Sequence, residues 1–252
     1  MSRWQLPPQQ IEVRTIKKVN LKGGTVIDGF PSGGLTNSIA STCFMRSVKN
    51  ELVAVLDSPA FPPLAVIYDG IPNFPARIYA NEDIKLAMFL SELNLDQSMY
   101  YSISRTILQW AKENECELII SAGTILGEES TGSLKEPDLQ NIYTVASTER
   151  AREKLKNVEL VSQFSSGSVT GIPALLLNQG AWMNFDVIVL ISKLSKDVSE
   201  FRAAAVVSEA IMRLIPGLSC DINFLLNQAK IIEQELRKMR IDQTNSSTNL
   251  YR

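Results

Sequence analysis

Leu250, Tyr251 and Arg252 put an apolar side chain, an aromatic ring with a hydroxyl and a carboxylate at the end of the 252-residue chain. That combination is the equipment for capture of a C-terminus in a pocket. Residues 242–249 before it, Asp-Gln-Thr-Asn-Ser-Ser-Thr-Asn, are small and polar and bury too little to order themselves. The expectation is a flexible tail over 242–252 with a reach of about 35 Å, following a single α/β domain over residues 1–241.

Other chemistry is poorly provided for. Histidine is absent, which removes the commonest general base, the usual activator of a serine or cysteine, and the commonest metal ligand. Three glycine-rich segments offer themselves instead. Gly29-Phe30-Pro31-Ser32-Gly33-Gly34 lies between a strand and a helix, where backbone N–H groups bind anions. It ends in neither the Lys-Ser/Thr of a P-loop nor the spacing of a dinucleotide motif, and reads as a structural turn. Gly123 to Gly132 carries Glu128 and Glu129 after a strand end, where open α/β sheets place ligands. Adjacent carboxylates on a loop seldom converge, so a solvated loop from Gly123 to Pro137 is expected. Ser165-Ser166-Gly167-Ser168-Val169-Thr170-Gly171 has no base for its serines. No catalytic residue, metal ligand or cofactor is assigned.

Composition narrows the class further. Lys and Arg number 25 against 27 acidic residues, and neither sign gathers into a block suited to nucleic acid or an anionic membrane. No stretch reaches the length of a membrane span, and the N-terminus lacks a signal-like apolar run. Cys43, Cys116 and Cys220 are isolated and odd in number, which suggests free thiols in a reducing compartment and a cytoplasmic protein.

The elements that must carry these residues are legible in the hydrophobic periods. Strands are expected at Ile11–Ile16, Thr25–Phe30, Leu52–Leu56, Ala65–Tyr68, Arg77–Tyr79 and Ile84–Leu90, with a helix through Ile39, Cys43, Phe44 and Val48. Turn signals such as Asp69-Gly70-Ile71-Pro72-Asn73 favour antiparallel hairpins there. From Gln97 the rhythm alternates: a helix Ser98–Glu113, a buried strand Glu117–Ala122, strands Ile142–Ala146 and Val158–Phe164 around a short helix, a strand Phe185–Ile191, and helices Ser199–Ile215 and Asp221–Arg240. A three-layer α/β/α sandwich with a mixed sheet is the economical arrangement. On the last helix Ile222, Leu225, Ala229, Ile232, Leu236 and Met239 draw a seam for its own domain or for an oligomer, and Glu233 and Arg237 are spaced as an i,i+4 pair.

The order of segments resembles the proteasome-assembly-chaperone family and its archaeal homologues. The resemblance runs from about Val26 to Met239. It is carried by Gly29 to Gly34 with its helix, Ile71-Pro72-Asn73-Phe74-Pro75-Ala76-Arg77-Ile78-Tyr79, Phe89 to Leu93, Gly167 to Leu176, and the two last helices. It implies a fold similar to purine nucleoside phosphorylases, homo-oligomers, and binding to the α subunits of the 20S proteasome without catalysis. It also implies a role for the hydrophobic-tyrosine-any-residue ending, with Leu250 and Tyr251 as anchors and the Arg252 carboxylate as the charged end. An enzyme of the phosphorylase or ATP-dependent ligase kind, using the glycine loops, is the alternative.

Overall fold

The structure is a computed structural model and describes residues 11–126, 142–156, 162–194 and 199–234. In chain order it runs β1 (Glu12–Thr15), β2 (Thr25–Ile27), α1 (Thr36–Ser47), β3 (Glu51–Asp57), β4 (Val66–Tyr68), β5 (Ile71–Asn73), β6 (Ala76–Asn81) and β7 (Leu86–Ser91). A 3-10 turn, Gln97–Met99, leads into α2 (Tyr100–Glu113). Then come β8 (Leu118–Leu126), β9 (Ile142–Ala146), α3 (Glu149–Lys156), β10 (Ser162–Gln163), α4 (Gly171–Met183), β11 (Asp186–Leu194) and α5 (Glu200–Leu214). Residues 222–234 form a closing helix, α6.

Nine strands make one mixed sheet in the order β1-β3-β6-β7-β2-β8-β11-β9-β10, and β4 and β5 make a separate hairpin. The centre, β7-β2-β8-β11, is parallel, while β1, β3, β6 and β7 pair antiparallel, as the short turns between them require.

Successive strand residues point to opposite faces, and both faces are covered. Val26, Ile119, Val187 and Val189 face a core shared with α2 and α4, where Trp110 sets its ring edge-on to Phe89 at 5.5 Å. Their neighbours Ile27, Ile120, Ile188 and Leu190 face a second core built from α1, α5 and α6. Burial on both sides explains why these strands read as continuous apolar runs and not as alternating ones. The result is the three-layer α/β/α sandwich.

Four expectations are corrected. The turn signal Asp69–Asn73 holds only a two-residue turn, Asp69 and Gly70, both at positive φ, and Ile71–Asn73 is strand β5. Gly123–Leu126 is not loop but the end of β8, in parallel register with Ile191–Leu194. The strand expected over Ile84–Leu90 begins only at Leu86, because Lys85 takes a positive φ in the turn before it.

The fourth concerns the cysteines. Cys43 on α1 and Cys220, just before α6, form a disulfide with Cα atoms 5.4 Å apart, leaving Cys116 free and buried. A separation of 177 residues hides this pairing from any spacing rule. The compartment argument drawn from isolated cysteines falls with it. Among the described residues, no helix is long and apolar enough to cross a membrane.

Closing so long a loop restrains the unfolded chain strongly, by about 3–5 kcal/mol. Cys43→Ser and Cys220→Ser are therefore each expected to lower the melting temperature by about 10 °C. A dithiol reductant should lower the wild-type value alike and leave the variants unmoved, as read by thermal unfolding with and without reductant.

Candidate protein-docking site and its supports

The three residues proposed to dock, Leu250, Tyr251 and Arg252, lie outside the described residues, as do Leu236, Met239, Glu128 and Glu129. What the structure describes is the body that carries the C-terminal segment and the way its last helix is held.

Of the seam on α6, Leu225 and Ala229 are buried in the second core, and Ile222 and Ile232 are half-buried. One turn beyond Ala229, Glu233 turns inward as well. Its Oε1 and Oε2 receive Nε and Nη2 of Arg202 at 2.9 and 2.7 Å, a bidentate pair between two buried side chains. The backbone N–H and hydroxyl of Ser199 donate to the same Oε1 at 3.2 and 3.3 Å, so Glu233 also caps the start of α5. Arg237, spaced as its i,i+4 partner, lies outside the described residues; among them the carboxylate pairs with Arg202. Burial pushes Glu233 upward, but the Arg202 hydrogen bond, the Ser199 N–H, the guanidinium charge and the Ser199 hydroxyl outweigh it and hold the pKa below its ordinary value. α6 is thus fastened near its start by the Cys43–Cys220 bond and at Glu233 by an ion pair.

The glycine segment at 29–34 is equally committed. Asp28, fully buried after β2, accepts from the Phe30 N–H at 3.0 Å, the Ser121 hydroxyl at 2.7 Å and the Asn37 amide at 3.1 Å. Asn37 in turn accepts from the Ala122 N–H at 2.7 Å, so one carboxylate ties β2, β8 and α1 together. A Cβ on Gly29 would overlap the Phe89 carbonyl, which is why the chain needs glycine there. Ser32 Oγ accepts from the Ile172 N–H at 3.1 Å, at the start of α4. The Leu35 N–H at the start of α1 donates to the carboxylate of Glu200. The helix end that could have taken an anion takes a side chain of its own fold. The Ser165–Gly171 bend contributes Gly171, at positive φ, against Ser32.

Burial raises the Asp28 pKa to about 6 against the pull of its three donors. A raised carboxylate adds stability that is complete below the unfolded pKa near 3.9 and is lost as pH rises through about 6.

With this geometry in view, the comparisons are clear. The PAC2 family model matches residues 26–240, and the chain belongs to the PAC2 family. It is 25% identical to the uncharacterized protein MJ0106 of Methanocaldococcus jannaschii, over 88% of this chain and 87% of that one. The fold is shared with PbaA of Pyrococcus furiosus, an archaeal homolog of proteasome-assembly chaperone, at TM-score 0.74, 23% identity and 95% coverage of both chains. PbaB of the same organism, an archaeal proteasome activator, superposes at TM-score 0.74 with 19% identity, over 92% of this chain and 99% of that one.

Two outcomes follow for the supports. Glu233→Ala leaves Arg202 charged and unpaired and is expected to cost about 3–5 kcal/mol, whereas the paired change Arg202→Met with Glu233→Leu costs less than either single change; urea unfolding measures both. In wild-type protein, the Asp28 contribution to stability should decline by about 1.4 kcal/mol as pH rises from 5 to 7.5, and Asp28→Asn should remove that decline even if it is less stable throughout.

Proposed function

We propose that the chain is a non-enzymatic proteasome assembly chaperone or adaptor that binds the α-ring of the 20S proteasome through Leu250, Tyr251 and the Arg252 carboxylate. The observation that carries this reading is membership of the PAC2 family over residues 26–240, joined to a fold shared with PbaA and PbaB. On this reading the protein works in the cytoplasm. Its three layers are of the phosphorylase-like kind.

Burial of Leu250 and Tyr251 contributes roughly 1.5–3 kcal/mol each, and a charge-assisted hydrogen bond about as much again. Ordering the segment and losing rotational freedom offset much of this. A single terminus therefore binds weakly. Several copies on one oligomer, each reaching a pocket of a symmetric ring, raise the avidity by about 10²–10⁴ with no new contact. The seam from Ile222 to Met239 is a poorer oligomer surface than its spacing suggested, because Leu225 and Ala229 are used inside the chain. The enzyme reading is weakened at the glycine turn, where Glu200 takes the Leu35 N–H and Ser32 takes the Ile172 N–H.

Deletion of Leu250–Arg252, or Tyr251→Ala, is expected to abolish or weaken capture of 20S core particles at least tenfold with the melting temperature unchanged. A pull-down with purified core particles reads this, and equal capture by the truncated chain removes the terminus from the mechanism.

A further inference from the structure

We infer that the groove between α1 and α6 is a resting site for the C-terminal segment of this same chain, holding Leu250 and Tyr251 until an outside pocket takes them. The inference rests on the function proposed for that terminus, and its test is run without core particles so that the two can fail separately.

The groove has a volume of about 540 Å³, within the range of sites that bury a ligand. Its walls are largely apolar: Ile39 and Cys43 from α1, Phe201 from α5, and Phe224 and Leu225 from α6. Phe224 is still 44% exposed, so apolar surface is left against water that a seated side chain would displace. The walls are not free to close on each other. Cys43 ties α1 to the start of α6 through Cys220, while Leu225, Ala229 and the Arg202–Glu233 pair hold α6 on the second core. A hollow kept open in this way receives a side chain without first having to form.

The rim chooses the occupant. Arg46, in the last turn of α1, makes no ion pair among the described residues, and Asp221 spends one carboxylate oxygen on the Phe224 N–H at 3.0 Å. A cation and an anion beside an apolar hollow match a terminus that combines an apolar pair, a guanidinium and a free carboxylate. Within residues 242–252 Leu250 and Tyr251 are the only apolar side chains. The segment therefore has one place to anchor.

Chain length allows the return. The described part of α6, residues 222–234, is about 20 Å long, and residues 235–252 span up to roughly 60 Å when extended. Were the helix to continue to Arg240, about 28 Å of helix would still be matched by about 40 Å of chain beyond it. Tethering supplies an effective concentration of about 1 mM. A segment that binds the groove with a dissociation constant of about 0.1–1 mM then fills it roughly half to nine-tenths of the time. That costs each terminus only about two- to tenfold in outside affinity. A ring that engages several termini at once recovers the loss.

The first test adds a dye-labelled peptide of residues 242–252 to the chain lacking Leu250–Arg252 and follows fluorescence anisotropy. The peptide should bind saturably, and about two- to tenfold more weakly to the full chain, whose own terminus competes. A C-terminal amide on the peptide should weaken binding at least threefold, and Arg46→Glu should remove that difference. The second test follows release of Arg252 from the full chain by carboxypeptidase B, read by mass spectrometry. Release should be at least twofold slower from wild type than from Phe224→Asp, or than from Arg46→Glu should Phe224→Asp fail to fold, and equally slow over about a hundredfold range of protein concentration. Absence of saturable peptide binding, an amide effect that survives Arg46→Glu, or equal release rates overturns the inference. So does protection that grows with protein concentration, which would seat the terminus on a second copy. A groove that binds the peptide while Tyr251→Ala leaves core-particle capture intact upholds this inference and removes the proposed function alone.

Discussion

The pairing of Arg202 with Glu233 is the contact on which the end of the molecule depends. A single helix gains most of its stability from what it packs against, and the groups α6 buries among the described residues, Leu225, Ala229 and Glu233, form one inward stripe at spacings of four. Two of the three are apolar and would tolerate a sliding helix. The third is charged, and a buried charge accepts only the geometry in which its hydrogen bonds are complete. Because the same carboxylate receives the Ser199 amide, the position of α6 and the start of α5 are set together. The Cys43–Cys220 bond adds a covalent limit near the other end of α6. Whatever follows residue 234 leaves from an element fixed by these two contacts.

The crevice where open α/β sheets place ligands tells a parallel story. Here the strand ends, the glycine turn and two helix starts converge, and several of their polar groups are taken by Asp28, Asn37, Ser32 and Glu200. The fold keeps the layout of a ligand-binding sheet and uses these groups to hold itself together. An account of function therefore turns outward, to the docking proposed for the C-terminus.

Much of this order was legible in the sequence. Strands buried on both faces, such as Val187–Ile191, announce themselves as unbroken β-branched runs, and the closing helices carry clear periods; the layers follow from these. What escaped notice shares one property, that it joins residues far apart in the chain. Cys43 meets Cys220, Arg202 meets Glu233, and Asp28 meets Ser121 only after the sheet has formed. Strand β5 was missed for a local reason: Ile71-Pro72-Asn73 has the composition of a turn, and only the register with Val66–Tyr68 makes it a strand. The C-terminal motif was legible as chemistry, while its setting is a matter between molecules.

The central claim is that a weak terminus acts through number. It is tested most directly by comparing a synthetic peptide of residues 242–252 with the intact protein in binding to immobilised 20S core particles. The account predicts that the peptide competes for the same sites and binds at least about 10²-fold more weakly than the whole protein. A peptide that fails to compete at any soluble concentration, or one that binds as tightly as the protein itself, would contradict it.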